Sequence, residues 1–448
     1  MPHYFAKQTP LQQRLVSLGL RTDFGPLSRQ IVKSVSLDAQ YAPEYTLACS
    51  ARCSLAKKIQ NVVDNMTVSQ NIALTAKRVS ERGKPPFRAD HVGSLLRPKH
   101  LLEARSKFDK GEITAAELRL TENDVIRHAV KRQEDVGLKA ITDGEFRRRS
   151  WHMDFICRIG GVVSAGTQER PFHNESGAVR NEIEIPKVVG RLRLDKPIFA
   201  DDFAFLKSIT EATPKFSIPS PSMLHGLGST LEDKGVYANP EEFWRDLAKV
   251  YVDELWALDR LGCTYLQIDD TMFATLGDPG YRKKLSPLAG AQEQLHMTYI
   301  RLLNDSLAQK PPAMTVCVHT CRGNHRSAWV AAGGYDPVAE AVFNQLNVDG
   351  FFLEYDDERS GTFEPLRFVP KGKMIVLGLV TSKKGALEKK DDIKRRIDAA
   401  TKYIDLDQLA LSPQCGFAST LLGNLLTEDQ QFAKLALVVE VAKEVWGE

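Results

Sequence analysis

The stretch PEEFWRDLAKVYVDELWALDRLGCTYLQIDD (240–270) decides the fold. Through Arg260 it sets Phe243, Leu247, Val250, Tyr251, Leu255 and Leu258 on one stripe, the 3.6-residue period of a helix lying on a sheet. The pattern then changes. Tyr265–Asp270 is a short β-rich run that ends in two carboxylates. Helix followed by buried strand is the repeating unit of an α/β protein.

Working outward, the same alternation recurs from residue 86 onward, with eight β-rich runs in all. The others are FRADHVGSL (87–95), KAITDGE (139–145), KFSIPSPSML (215–224), MTVCVHTC (314–321), GFFLEYD (350–356), KMIVLGLV (373–380) and LALSPQC (409–415). Amphipathic segments between them include 387–404 and the closing 428–446. Eight strands with covering helices predict a (β/α)8 TIM barrel over 87–448, with chemistry at the carboxyl ends of the strands. A doubly wound sheet would carry a glycine-rich first turn, and neither GxGxxG nor GxxxxGK[ST] occurs. The unusually long insertion after the second strand, 152–214, contains alternating NEIEIPKVV and RLRL and predicts a hairpin lid.

The chain has 448 residues, 43% hydrophobic and 26% charged, which fits one large barrel plus an appendage. Sixty Lys and Arg against 57 Asp and Glu leave +3, too weak a field to favour nucleic acid or an anionic membrane. Residues 1–86 carry net +7 and end at Gly83-Lys84-Pro85-Pro86, marking a basic N-terminal extension. A helical or disordered arm is the favoured reading; a mitochondrial transit segment is the alternative. The expected compartment is the cytoplasm, where the seven cysteines stay thiols.

Cys317, His319 and Cys321 alternate along one strand and so share a face, with Cys317 a layer deeper and the other two at the rim. Glu354 from the next strand and Cys415 from the last complete two thiolates, an imidazole and a carboxylate, a donor set suited to tetrahedral zinc. A thiol bound to such an ion is ionised at working pH, and thiolate attacks alkyl carbon. The chemistry expected is alkyl transfer to sulfur.

These residues sit in HVGSLLRP (91–98), ITDGEFRR (141–148), LQIDD (266–270), CVHTC (317–321), FFLEYDD (351–357), VLGLVTSKKGALE (376–388) and SPQCGF (412–417). In that order the motifs resemble the catalytic, carboxyl-terminal barrel of cobalamin-independent methionine synthase. The resemblance implies a methyltransferase of methionine biosynthesis, acting on homocysteine with 5-methyltetrahydrofolate. It implies His319, Cys321, Glu354 and Cys415 as zinc ligands, and Ser94, Glu145 and Asp269 as holders of the amino acid. Asp270 is expected to face away and cap a helix.

Two departures bear on the donor. Full-length synthases carry a second, amino-terminal barrel that 86 residues cannot supply. Where the family has an acid histidine, Thr381-Ser382-Lys383-Lys384 stands here, making Lys383 the candidate acid if burial or zinc depresses its pKa. Trp151, after the Arg147–Arg149 run, is a candidate to stack a pterin while the arginines take a glutamate tail. A solvated loop is the alternative for that run. Other functional readings are a zinc thiol transferase with a different substrate and a zinc- or metabolite-binding barrel without turnover.

Overall fold

Asn239 opens the helix Pro240–Arg260 by accepting the Glu242 N–H at its side chain, with proline in the first turn. All six residues of the predicted stripe are buried, each 1% exposed or less. The strand that follows is Tyr265–Asp270, as the sequence predicts.

The computed structural model describes residues 83–228, 235–289 and 295–447. The reading of 1–86 as an arm or transit segment therefore lies, up to Arg82, outside the described residues. Nine strands are described: β1 Ala140–Ile141, β2 Gly160–Asn174, β3 Gly177–Arg193, β4 Thr213–Pro219, β5 Tyr265–Asp270, β6 Thr315–Thr320, β7 Gly350–Glu354, β8 Met374–Val380 and β9 Leu409–Pro413. Seven form a parallel, curled sheet in the order β1-β4-β5-β6-β7-β8-β9. Strands β5 to β9 are buried on both faces apart from Thr315, as expected where helices cover a parallel sheet. No described helix is long and apolar enough to cross a membrane.

The first predicted strand, 87–95, is not one. It makes a single parallel bridge, Ala89 to Leu411. The Asp90 carboxylate accepts the N–H groups of Phe87 and His91, donors that a ladder would have used. The segment still joins both edges of the sheet. Asp90 N donates to Leu411 O at 3.0 Å on the β9 side, and Thr142 Oγ1 donates to Gly93 O at 2.7 Å on the β1 side. The second predicted strand shrinks to two residues because Gly144 and Glu145 turn to φ 66° and 57°.

Cys317 is fully buried in the small core inside the curl, with Phe87, Tyr265 and Phe352. Beside it the Lys215 ammonium lies 2.9 Å from Asp90 Oδ1, both side chains fully enclosed. The insertion forms the expected hairpin, β2 paired antiparallel with β3. It is fastened at its far end, where His173 and Trp329 exchange backbone hydrogen bonds of 2.7 and 2.8 Å.

Candidate functional site

His319 is on β6, Cys321 just past its end, and Cys415 just past β9. One ligand atom from each lies within 4.8 Å of the other two. The two sulfurs are 3.8 Å apart. Parallel register sets Asp269 beside His319, and Asp269 Oδ1 is 3.0 Å from the imidazole Nδ1. Nε2, on the other side of the ring, lies 3.4 Å from the Gln414 carbonyl oxygen, next to Cys415. A carboxylate holding the second nitrogen is the usual support for a metal-binding histidine.

The contact with Cys321, together with His319, lowers the Cys415 thiol to about 5 against the penalty of burial. Cys321 moves up correspondingly, through its contact with Cys415 and its burial. Burial alone would lower His319, but Asp269 and Cys415 outweigh it and raise the imidazole to about 10. The site thus gathers two sulfurs and a ring nitrogen, a donor set that fits zinc.

Glu354, expected as the fourth ligand, is not in that group of three. Its Oε1 accepts from Arg359 at 2.6 Å and its Oε2 from the Arg322 N–H at 2.5 Å. Burial opposes ionisation, but Lys383, Arg359 and Arg322 hold the carboxyl down at about 2. Lys383 lies 2.5 Å from Asp356 and 3.6 Å from Glu354. The condition set for Lys383 as the acid, a depressed pKa, is not met: burial would lower it, but these two carboxylates outweigh that and raise it.

Ser94, Glu145, Trp151 and Asp269 line one open cavity together with His319, Cys321 and Cys415. Glu354 and Lys383 are not among its lining residues. Glu145 is in the left-handed region at φ 57°, strain that aims its carboxyl inward. Its Oε1 accepts from Ser217 Oγ at 2.9 Å, and burial pushes it up to about 7 despite Arg148. Gly416 allows the Cys415 turn to approach Ser94, since a Cβ there would meet Ser94 Oγ at 1.9 Å. Asp270 accepts from Phe273 N at 3.0 Å and from Ser222 Oγ, as a cap does, but it does not face away as expected, since it too lines the cavity.

The arginine run departs from expectation. Arg147 is buried against Asn123, Glu122 and Asp202, and Arg148 donates to Ser217 O and lies over the Phe199 ring. Neither is free to take a glutamate tail. Sequence reasoning missed His152, Asn324 and the hairpin residues Arg170 and Phe172, all of which line the cavity. The alternation of the hairpin was readable, but which residues face inward depends on irregularities in its register near Ser164.

Residues 87–444 match the family model described as cobalamin-independent synthase, catalytic domain. The uncharacterised protein YxjH of Bacillus subtilis (strain 168) is 46% identical over 385 residues, covering 85% of this chain and all of that protein. A methionine synthase of Pyrococcus abyssi is 24% identical over 357 residues, 79% of this chain and 91% of the relative. Among solved structures, a Listeria monocytogenes protein assigned as a vitamin-B12-independent methionine synthase superposes with a TM-score of 0.64 at 38% identity, covering 81% of this chain and 99% of that one. The chain belongs to the cobalamin-independent methionine synthase family.

Proposed function

We propose that the chain is a zinc-dependent methyltransferase built on a (β/α)8 barrel, moving a methyl group from a folate-type donor to the thiol of homocysteine or a related small thiol. The observation that carries this reading is the convergence of His319, Cys321 and Cys415 on the cavity that Ser94, Glu145 and Asp269 also line. These three residues would hold zinc, with Glu354 the fourth candidate. Zinc, when bound, supplies an ionised thiol at neutral pH.

The chain's own residues do the rest. The Glu145 and Asp269 carboxylates suit an α-ammonium, and Ser94 Oγ suits an α-carboxylate. The Trp151 ring offers a face to a planar heterocycle. Displacement at a methyl carbon needs no protein nucleophile, so alignment of the two substrates is the main contribution. The test is metal analysis of the purified chain, followed by mass spectrometry of homocysteine incubated with 5-methyltetrahydrofolate and other methyl donors. Stoichiometric zinc and methionine are expected; no zinc and no methylated thiol would remove the reading.

One observation favours a second reading. Lys383, at the position of the family's acid histidine, has its ammonium held by Asp356 and Glu354. A barrel that binds zinc and thiol without turnover would suit that arrangement. Thiol binding by calorimetry with no product after long incubation would select it.

A further inference from the structure

Gln267 stands on β5 two residues before Asp269, so the two side chains turn to the same face of the strand. It is fully buried. Its Nε2 donates to the Val92 carbonyl at 2.7 Å and to Asp269 Oδ1 at 2.7 Å, which uses both amide hydrogens. A carbonyl and a carboxylate can only accept, so the amide has one orientation.

The amide oxygen left over has no hydrogen-bond partner among the described residues. A buried acceptor without a donor is destabilising, and an apolar side chain of similar shape would avoid that loss. Packing therefore does not account for a glutamine here. What its nitrogen holds does.

One end of that hold is rigid. Val92 belongs to the 87–95 segment, which is pinned independently of Gln267 by Leu411 O at Asp90, by the Lys215 ammonium at His91 O and by Thr142 Oγ1 at Gly93 O. The other end is the Asp269 carboxylate, whose Oδ1 meets Gln267 Nε2 at 2.7 Å and His319 Nδ1 at 3.0 Å. Neither contact uses Oδ2, and Asp269 lines the cavity.

We propose that Gln267 is a positioning residue for substrate recognition: anchored on Val92, it locks the Asp269 carboxylate with Oδ1 on His319 and Oδ2 toward the α-ammonium of an amino-acid thiol. The inference rests on the cavity being a methyl-transfer site for such a thiol. Without the amide, the carboxylate turns about its last bond, where an aspartate has a broad choice of angles, and the ammonium meets a group that is no longer aimed. The sulfur and carboxylate ends of the substrate are taken by other residues. Selection for the amino group is what Gln267 supplies.

The experiment is calorimetry on the full zinc-supplemented chain with homocysteine and with 4-mercaptobutanoate, the same thiol without its amino group. Wild type is expected to bind homocysteine about tenfold or more tightly than mercaptobutanoate, as a charge-assisted hydrogen bond to the ammonium requires. Gln267→Met fills the space without donors and is expected to weaken homocysteine about tenfold while leaving mercaptobutanoate within about twofold. Gln267→Asn is one methylene too short to span Val92 and Asp269 and is expected to lose the preference in the same way, so a poorly folded Met variant does not remove the test. A preference kept in both variants, or both thiols weakened alike, would overturn the proposal and leave the methyl-transfer reading standing. A wild type that binds the two thiols equally, or binds neither, would instead sink the reading of Asp269 as holder of the amino acid, and the proposal with it.

Discussion

The Cys321 and Cys415 sulfurs stand 3.8 Å apart although 94 residues separate them, one past the end of β6 and the other past the end of β9. Two thiols brought this close at the ends of non-adjacent strands, with His319 beside them, serve packing poorly and a soft cation well.

Cys415→Ser is therefore expected to drop zinc content from roughly one equivalent to below about a tenth, measured by mass spectrometry of the metal after dialysis. Circular dichroism should be unchanged, because the strand ends do not hold the core together. A variant that kept its full zinc would remove Cys415 from the ligand set.

Gly416→Ala probes the neighbouring turn without touching a donor atom. The new Cβ would fall 1.9 Å from Ser94 Oγ, so either Ser94 or the Cys415 turn must shift. The expected outcome is a Kd for homocysteine weakened about tenfold, with zinc retained. Unaltered thiol affinity would show that Ser94 does not hold the amino acid.

These features differ in how legible they were. The 240–260 helix and the β5 strand follow from local signals, a cap and a period, and the structure agrees at both ends. The 87–95 run carries the same apolar content, yet the Asp90 side chain claims two of its N–H groups, a tertiary arrangement no period encodes. His319, Cys321 and Cys415 were visible because donor chemistry is written in residue type. Glu354 and Lys383 were harder, since their roles depend on which cations and carboxylates surround them. His152 and Arg170 carry no motif at all; a serine hydrogen bond and a hairpin register define them.

Lys383 gives a stability prediction. Its ammonium sits between Asp356 and Glu354, and its side chain is 5% exposed. Lys383→Met leaves two buried carboxylates short of a cation, which should cost about 3 kcal/mol. Chemical denaturation of the variant measures this directly. If stability stays within about 0.5 kcal/mol, the lysine is not holding those carboxylates, and a role as mobile acid regains weight.

Glu145 sets stability against binding, and pH separates the two. Burial raises its carboxyl from 4.5 to about 7, so between those values the folded chain keeps a proton that the unfolded chain has released. Its stabilising contribution is fully present below 4.5 and is lost as pH rises through about 7, a difference of about 3 kcal/mol. Glu145→Gln cannot ionise and keeps an oxygen for the Ser217 hydroxyl, now 2.9 Å away. Its Tm should therefore exceed that of wild type by several degrees at pH 8 and converge with it near pH 4.5, read by calorimetry on metal-free protein. The same variant loses one carboxylate for the α-ammonium, so homocysteine should bind about tenfold more weakly at the pH where the fold is strengthened. Melting curves that run parallel at every pH would mean that Glu145 is not strained by its charge, and the trade of stability for recognition at this position would fall with it.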